Sequence, residues 1–232
     1  MRKVLLVLLI LVAGGVVAAD RFGVRVAQNE IGKQVAAQYK LDRRPDVTIH
    51  GFPFLTQAVA GDYDQIDVSI GNWTEQGVTV GDVKIEMRGV NAPLKEVANG
   101  SSAHVTARTA TASAVIPYEV IRKNAPKQVQ KISPKGDDLA VQLSGDVLGF
   151  KLSGDAVVKV KPTAKGIAIT PLSVGSTGLQ IPVDRLQDQL TWVVPVTNLP
   201  VGSRISRIEP TPAGLRVAAT ADNVNLNDLP QA

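Results

Sequence analysis

Hydrophobic positions come in three regimes along the chain. The first is a charge-free run, Val4–Ala19, with Arg2 and Lys3 before it and Asp20 and Arg21 after it. A run of this length lies between a signal-peptide core and a short membrane span. Val17-Ala18-Ala19 offers the small residues that a signal peptidase needs, and an uncleaved anchor holds the same residues with Gly14-Gly15 inside it. In both cases the basic end stays in the cytoplasm and the remainder is exported. The second regime has helical spacing. Val24, Ala27, Ile31, Val35 and Tyr39 recur every three or four residues, which predicts a helix over Phe22–Tyr39 that presents one apolar stripe and ends before Pro45.

The third regime, from Val47 onward, is mostly alternation, the mark of half-buried strands. Ile66, Val68 and Ile70 alternate with polar residues. Val78 and Val80 begin another strand whose phase slips at Gly81-Asp82, as at a bulge, before Val83, Ile85 and Met87. Ala103, Val105 and Ala107 lead to a second phase change at Thr109, and Asn99-Gly100 is a hairpin turn between the two long strands. Long strands that change phase midway predict a strongly bent sheet. Pro117 opens a short helix over Tyr118–Ala125, with a further turn toward Ile132, and Ser133–Asp138 reads as a loop. L-S-G-D occurs at Leu143 and again at Leu152, consistent with successive antiparallel strands. Pro182–Leu190 reads as another short helix. The expected organisation is a signal peptide or N-terminal membrane anchor at 1–19 and a single domain at 20–232. The expected class is α+β, a strongly bent antiparallel sheet wrapped around or against a long helix.

One stretch departs from these patterns: Val47–Tyr63, V-T-I-H-G-F-P-F-L-T-Q-A-V-A-G-D-Y. It starts as a strand, breaks at Gly51 and Pro53, and resumes as an apolar run from Leu55 to Ala60. Pro53 cannot donate to a sheet ladder, so Phe52-Pro53-Phe54 belongs at an edge, corner or mouth. Both Phe side chains then plug the core where the sheet turns, or they line or gate an apolar cavity.

Composition narrows the chemistry. There is no Cys, which removes disulfides, thiolate metal sites, Cys nucleophiles and a lipidated Cys anchor. The formal charge is +4, and Arg2 and Lys3 supply half of it, so nucleic acid is not an expected partner. The core must be aliphatic, because aromatic residues are only 4%. Of the two His, His50 and His104, either would need a nucleophile and a carboxylate nearby for hydrolase chemistry. G-x-S-x-G, H-E-x-x-H and phosphate-binding glycine loops are absent. Asp62 and Asp64 flank Tyr63 and read as a solvated turn. Arg122, Lys123, Lys127 and Lys131 form a basic run that suits a solvated face or anionic headgroups. Neither a cofactor nor a metal is expected, and the chain is read as a binding protein and not an enzyme.

I-H-G-F-P-F-L-T-Q, then G-D-Y-D, the two L-S-G-D strands and L-P-V-G near Leu199 resemble the LmeA-like family of actinobacterial envelope proteins. That resemblance implies a fold similar to tubular lipid-binding (TULIP) domains and phospholipid as ligand. It also implies work at a membrane surface in the cell envelope, which extends to assembly of glycolipids such as lipomannan. The residues then expected to meet lipid, as apolar wall or gate, are Phe52, Phe54, Leu55, Val59, Trp73 and Trp192. Physics permits such a carrier. Burying a 16-carbon acyl chain is worth roughly 13 kcal/mol, at about 0.8 per CH₂, and a bilayer offers the same gain. Exchange between groove and membrane is therefore nearly neutral and needs no catalytic residue. A scaffolding β-domain that binds other envelope proteins is the alternative from a different class.

Overall fold

A computed structural model describes residues 2–75, 77–93, 104–147, 150–163, 166–175, 190–196 and 202–228. The class is α+β: a long N-terminal helix with two antiparallel sheets, one of them strongly curled into a half-barrel, as in TULIP-like folds. Helix α1 spans Arg2–Gln38, so the apolar run and the amphipathic segment are one helix and not two elements meeting at Phe22. No proline interrupts this stretch, and a change from apolar to amphipathic composition does not by itself end a helix. At 1.5 Å per residue α1 is about 56 Å long.

The first sheet takes the order β1-β2-β3-β4-β11-β10, from β1 (Asp46–Ile49), β2 (Asp62–Glu75), β3 (Val78–Asn91), β4 (Thr106–Ile116), β10 (Arg204–Thr211) and β11 (Gly214–Asn225). The second runs β5-β6-β7-β8-β9, from β5 (Val129–Lys135), β6 (Asp138–Val147), β7 (Phe150–Thr163), β8 (Gly166–Val174) and β9 (Trp192–Pro195). Two short helices complete the described elements, α2 (Phe54–Ala60) and α3 (Tyr118–Lys123), with a 3-10 turn at Leu226–Asp228. The chain divides into two compact units. The first comprises Met1–Gly71, Lys84–Thr111 and Ala221–Ala232, and the second Asn72–Val83 and Ala112–Thr220.

In the first unit Val24 of α1, Phe54 and Ala58 of α2, and Ile49, Tyr63, Ile66, Val90 and Ala107 of the strands make one core. In the second unit the five-stranded sheet supplies Leu139, Val141, Val158, Ile167 and Ile169, closed by Ile121 from α3 and Leu215 and Val217 from β11. Aliphatic side chains carry this second core, as a chain so poor in aromatics requires. The sheet registers shift at Val129/Lys131 in β5 and at Val157/Val158 in β7. Each inserted residue bends its strand and increases the local twist.

Several local expectations are corrected. Ser133–Asp138 is not a loop: β5 continues to Lys135, a two-residue turn at Gly136-Asp137 follows, and β6 starts at Asp138. Pro134 does not interrupt the strand. It sits opposite Leu139 on an edge strand, where a missing N–H is tolerated. The turn expected to run to Ile132 is instead the start of β5, because Val129 and Ile132 are needed in the core. The two L-S-G-D copies pair with each other across β6 and β7, with Ser144 opposite Ser153 and Leu143 opposite Gly154. The helix at Pro182–Leu190 and the turn at Asn99-Gly100 lie outside the described residues, apart from Leu190, which is buried.

Leu139 is fully buried at the centre of the second core, whereas Leu172 on β8 is largely exposed. Leu139→Ala is expected to cost about 2–5 kcal/mol in urea unfolding, and Leu172→Ala about 0.5 or less. Equal costs would contradict the packing described.

Candidate functional site

The G-F-P-F-L-T-Q segment can be rebuilt residue by residue. Gly51 follows the end of β1 with φ +96. That left-handed φ favours glycine, and a Cβ there would also have to displace the side-chain ends Gln57 Nε2, at 2.5 Å, and Asp64 Oδ2, at 2.8 Å. The Phe52–Pro53 peptide is cis. Phe54 opens α2 and turns into the core, its ring 6.3 Å from that of Tyr63. Gln57 fastens both sides of the corner. Its Nε2 donates to the His50 carbonyl at 3.2 Å, and its Oε1 accepts the Asp64 N–H at 2.9 Å. Gly61 ends α2 in the left-handed conformation, its N–H bonded to the Gln57 carbonyl.

The start of α2 lacks a cap of its own, because Pro53 has no side-chain acceptor. Asp20 of α1 fills that role from 35 residues away. Its Oδ1 accepts the Leu55 N–H at 2.8 Å, and Arg21 Nε donates to its Oδ2 at 3.1 Å. Asp20 is 1% exposed, the one buried charged side chain among the described residues. Burial alone would raise its pKa. The Leu55 N–H, the Arg21 guanidinium and the Phe54 N–H outweigh that and hold the carboxyl below its ordinary value. α2 packs against α1 at Gly23, where a Cβ would meet Leu55 at 3.4 Å and Phe54 at 3.5 Å in ordinary van der Waals contact.

Beside the exposed Thr56, the corner leaves apolar side chains in the open. Phe52 is 63% exposed, Leu55 40% and Val59 82%; on α1, Phe22 is 72% exposed and Val26 51%. The Arg21 guanidinium carbon lies 5.3 Å from the centre of the Phe52 ring.

The second unit holds an open cleft of about 500 Å³ lined by Asn72, Gly81, Asp82, Val115, Pro117, Thr211, Pro212, Ala213 and Arg216. Its floor is pinned where Tyr118 Oη donates to the Thr211 carbonyl at 2.8 Å and Thr211 Oγ1 donates to the Gly214 carbonyl at 2.7 Å. Arg216 pairs with Asp82 at 2.8 Å on its wall, both half-buried. Asp82 has φ 48, at the place where the sequence marked a bulge. In the same unit Trp192 is buried in the core, and its indole N–H has no hydrogen-bond partner among the described residues.

The profile of a family described as LmeA-like phospholipid-binding matches residues 18–220, from just before Asp20 to the middle of β11. The chain belongs to that family. No curated protein and no solved structure matches it. A phospholipid-binding role follows at the level of the LmeA-like family.

In this LmeA-like chain the six residues expected to meet lipid divide. Phe52, Leu55 and Val59 share the exposed side of the corner, while Phe54 is a core residue. Trp73 is half-buried on β2 beside Asn72 of the cleft, and Trp192 is buried on β9. Phe54 packs with Val24, Ile49 and Tyr63, so Phe54→Asp breaks the core and cannot report on lipid uptake by itself. His50 Nε2 lies 2.7 Å from Asp67 Oδ2, and Gln65 Nε2 donates to Asp67 Oδ1 at 2.8 Å, which binds the imidazole into the β1–β2 pair. Asp62, Tyr63 and Asp64 open β2 and are not the solvated turn expected: Asp62 accepts from Asn91 at 2.6 Å, and Tyr63 turns inward between two exposed carboxylates because side chains alternate along a strand. Among the described residues no group of three or more His, Asp or Glu is placed to hold a metal.

Sequence reasoning missed Asp20 and Gln57. Asp20 reads as the polar flank of an apolar run. The available clue was the chemistry of α2, a helix start preceded by proline and therefore short of an acceptor.

Because the folded carboxyl of Asp20 titrates below its unfolded value, the stability it contributes is present above the unfolded pKa, about 3.9, and is lost as pH falls through the folded pKa. Asp20→Asn is therefore expected to unfold at lower urea than the parent at pH 7. The gap should close below about pH 4 as the parent's carboxyl protonates. A gap that stays constant from pH 7 to pH 3 would contradict this.

Proposed function

We propose that this protein is exported to the cell envelope, where it holds or transfers phospholipid in an apolar groove and acts by binding, without making or breaking bonds. Service to envelope glycolipid assembly, such as that of lipomannan, is part of the same reading. The observation that carries it is the family match over residues 18–220. Helix α1 supports export. It is long and apolar enough to cross a membrane, and its basic end fits the cytoplasmic side. The charge-free run covers about 24 Å, short of a 30 Å hydrocarbon layer, so as an anchor it would rely on Arg2, Lys3 and Arg21 reaching outward to the interface.

Within the groove reading, Trp73 and Trp192 are the ligand contacts of the second unit. The N–H of Trp192, without a partner among the described residues, supports this assignment. A buried donor without an acceptor costs about 1–3 kcal/mol, and an ester carbonyl or phosphate oxygen of a phospholipid would remove that cost. Phe52, Leu55 and Val59 are the lipid contacts of the first unit, and Phe54 positions them from the core.

The deciding experiment is native mass spectrometry of the full chain after incubation with phospholipid vesicles, followed by organic extraction. The expected result is close to one phospholipid per chain. A folded chain that remains lipid-free would move the assignment to a scaffold for other envelope proteins. Trp192→Phe is expected to weaken phospholipid retention roughly tenfold while leaving the melting temperature equal or higher, since it removes an unpaired donor. Unchanged retention would remove Trp192 from the site.

A further inference from the structure

We infer that the exposed apolar side chains around the Asp20 junction form a membrane-docking foot, on which Phe52, Leu55 and Val59 of the α2 corner enter the interfacial layer of a bilayer together with Phe22 and Val26 of α1. This rests on the phospholipid-binding reading and says how the protein meets the lipid surface from which its ligand comes.

Three observations carry it. The first is continuity. α1 is one helix from the apolar run to Gln38, so its position along the axis fixes depth. Phe22 and Val26 lie about 4.5 and 10.5 Å beyond Ala19 along the axis, and because the apolar run is about 6 Å short of the ~30 Å hydrocarbon core, they fall at the interfacial layer that flanks it. The second is the level of α2. Its first turn is bonded to Asp20, packs on Gly23, and carries Phe52 under Arg21, so the corner sits where α1 leaves the apolar run. Phe22 and Val26 are rotated by about 200° from Asp20 and Val24, the side on which α1 meets the core. Exposed apolar groups therefore occur on the free side of α1 as well as on α2, as in a collar that surrounds the helix where it leaves the membrane. The third is composition. Residues 51–61 contain no charged side chain, and α2 exposes Leu55 and Val59 at i, i+4 spacing. The nearest cations, Arg21 and Arg25, are exposed at the same level and suit lipid phosphates. A water-facing helix of this kind would carry charge, whereas an interfacial one needs an apolar face with basic residues beside it.

The chain has no native Cys, so a single engineered Cys carries a unique label. The full chain is reconstituted into vesicles of phosphatidylcholine and phosphatidylglycerol with an environment-sensitive fluorophore at Phe52→Cys, Val59→Cys or Lys33→Cys. Lys33 is exposed on α1 about 21 Å beyond Ala19 and serves as the aqueous reference. Blue-shifted emission and quenching by spin labels placed high on the lipid acyl chains are expected at 52 and 59 and not at 33. Emission at 52 and 59 that matches 33 would overturn the foot. A blue shift that follows protein-to-lipid ratio without quenching by the lipid spin labels would assign the patch to a second copy of the chain, and would overturn it as well. Native mass spectrometry of the Lys33→Cys labelled chain, which leaves every proposed lipid contact intact, separates this result from the parent reading. Bound phospholipid with water-exposed labels defeats the foot alone, and absence of bound phospholipid defeats the binding reading itself.

Discussion

The carboxylate of Asp20 is the constraint on which the first unit depends. A helix that begins after a proline presents N–H groups with no local acceptor, and a buried carboxylate is costly without donors. Each solves the other's problem. The Leu55 N–H and the Arg21 guanidinium make burial of Asp20 tolerable, and Asp20 fixes α2 to α1. Once that bond is made, Phe54 is aimed into the core beside Val24, and Phe52, Leu55 and Val59 are left facing outward. The division of a short apolar motif into an architectural half and an exposed half thus follows from one pair of mutually satisfied polar groups. Gln57 does the same at smaller scale, bonding both His50 and Asp64 so that the corner keeps its shape without burying an unpaired amide.

Much of this was legible in the sequence. The alternating strands, the phase slip at Gly81-Asp82 and the antiparallel reading of the L-S-G-D repeat follow from side-chain period alone, since a strand that fails to alternate would place its apolar set in water. The family resemblance was carried by a string, G-F-P-F-L-T-Q, several of whose constraints are physical: a left-handed backbone at Gly51, a ring in the core at Phe54, a two-sided hydrogen-bond bridge at Gln57. What was not legible depends on distant residues meeting. Nothing local to Asp20 says that it caps a helix 35 positions later, and nothing local to Pro134 says that its strand lies at a sheet edge. The exposure of Val59 was likewise hidden, because an apolar residue in an apolar run reads as core until the partner face is known.

The two units also differ in what their chemistry can do. The second has the larger aliphatic core, the open cleft with the Arg216–Asp82 pair on its wall, and the indole of Trp192, unpaired among the described residues. The first has the apolar helix and an uncharged corner whose exposed groups are hydrophobic. The cleft with its charged wall and the exposed apolar corner therefore lie in different parts of the chain, so substitutions can address them separately.

The way the chain threads its units bears on how the protein acquires its structure. The five-stranded sheet is a succession of neighbours, β5 to β9 in order, and contacts of that kind close short loops and form early. The first unit is assembled from three separate stretches, and the last of them begins at Ala221. Its final tie is the Leu226 N–H bonded to the Val105 carbonyl, with Leu226 packed on that core. This unit cannot be completed until nearly the whole chain has been delivered. A polypeptide exported amino end first would have the β5–β9 meander formed while the corner around Asp20 still waited for its carboxyl-terminal strand, so the part of the molecule richest in exposed apolar surface is the last to be finished.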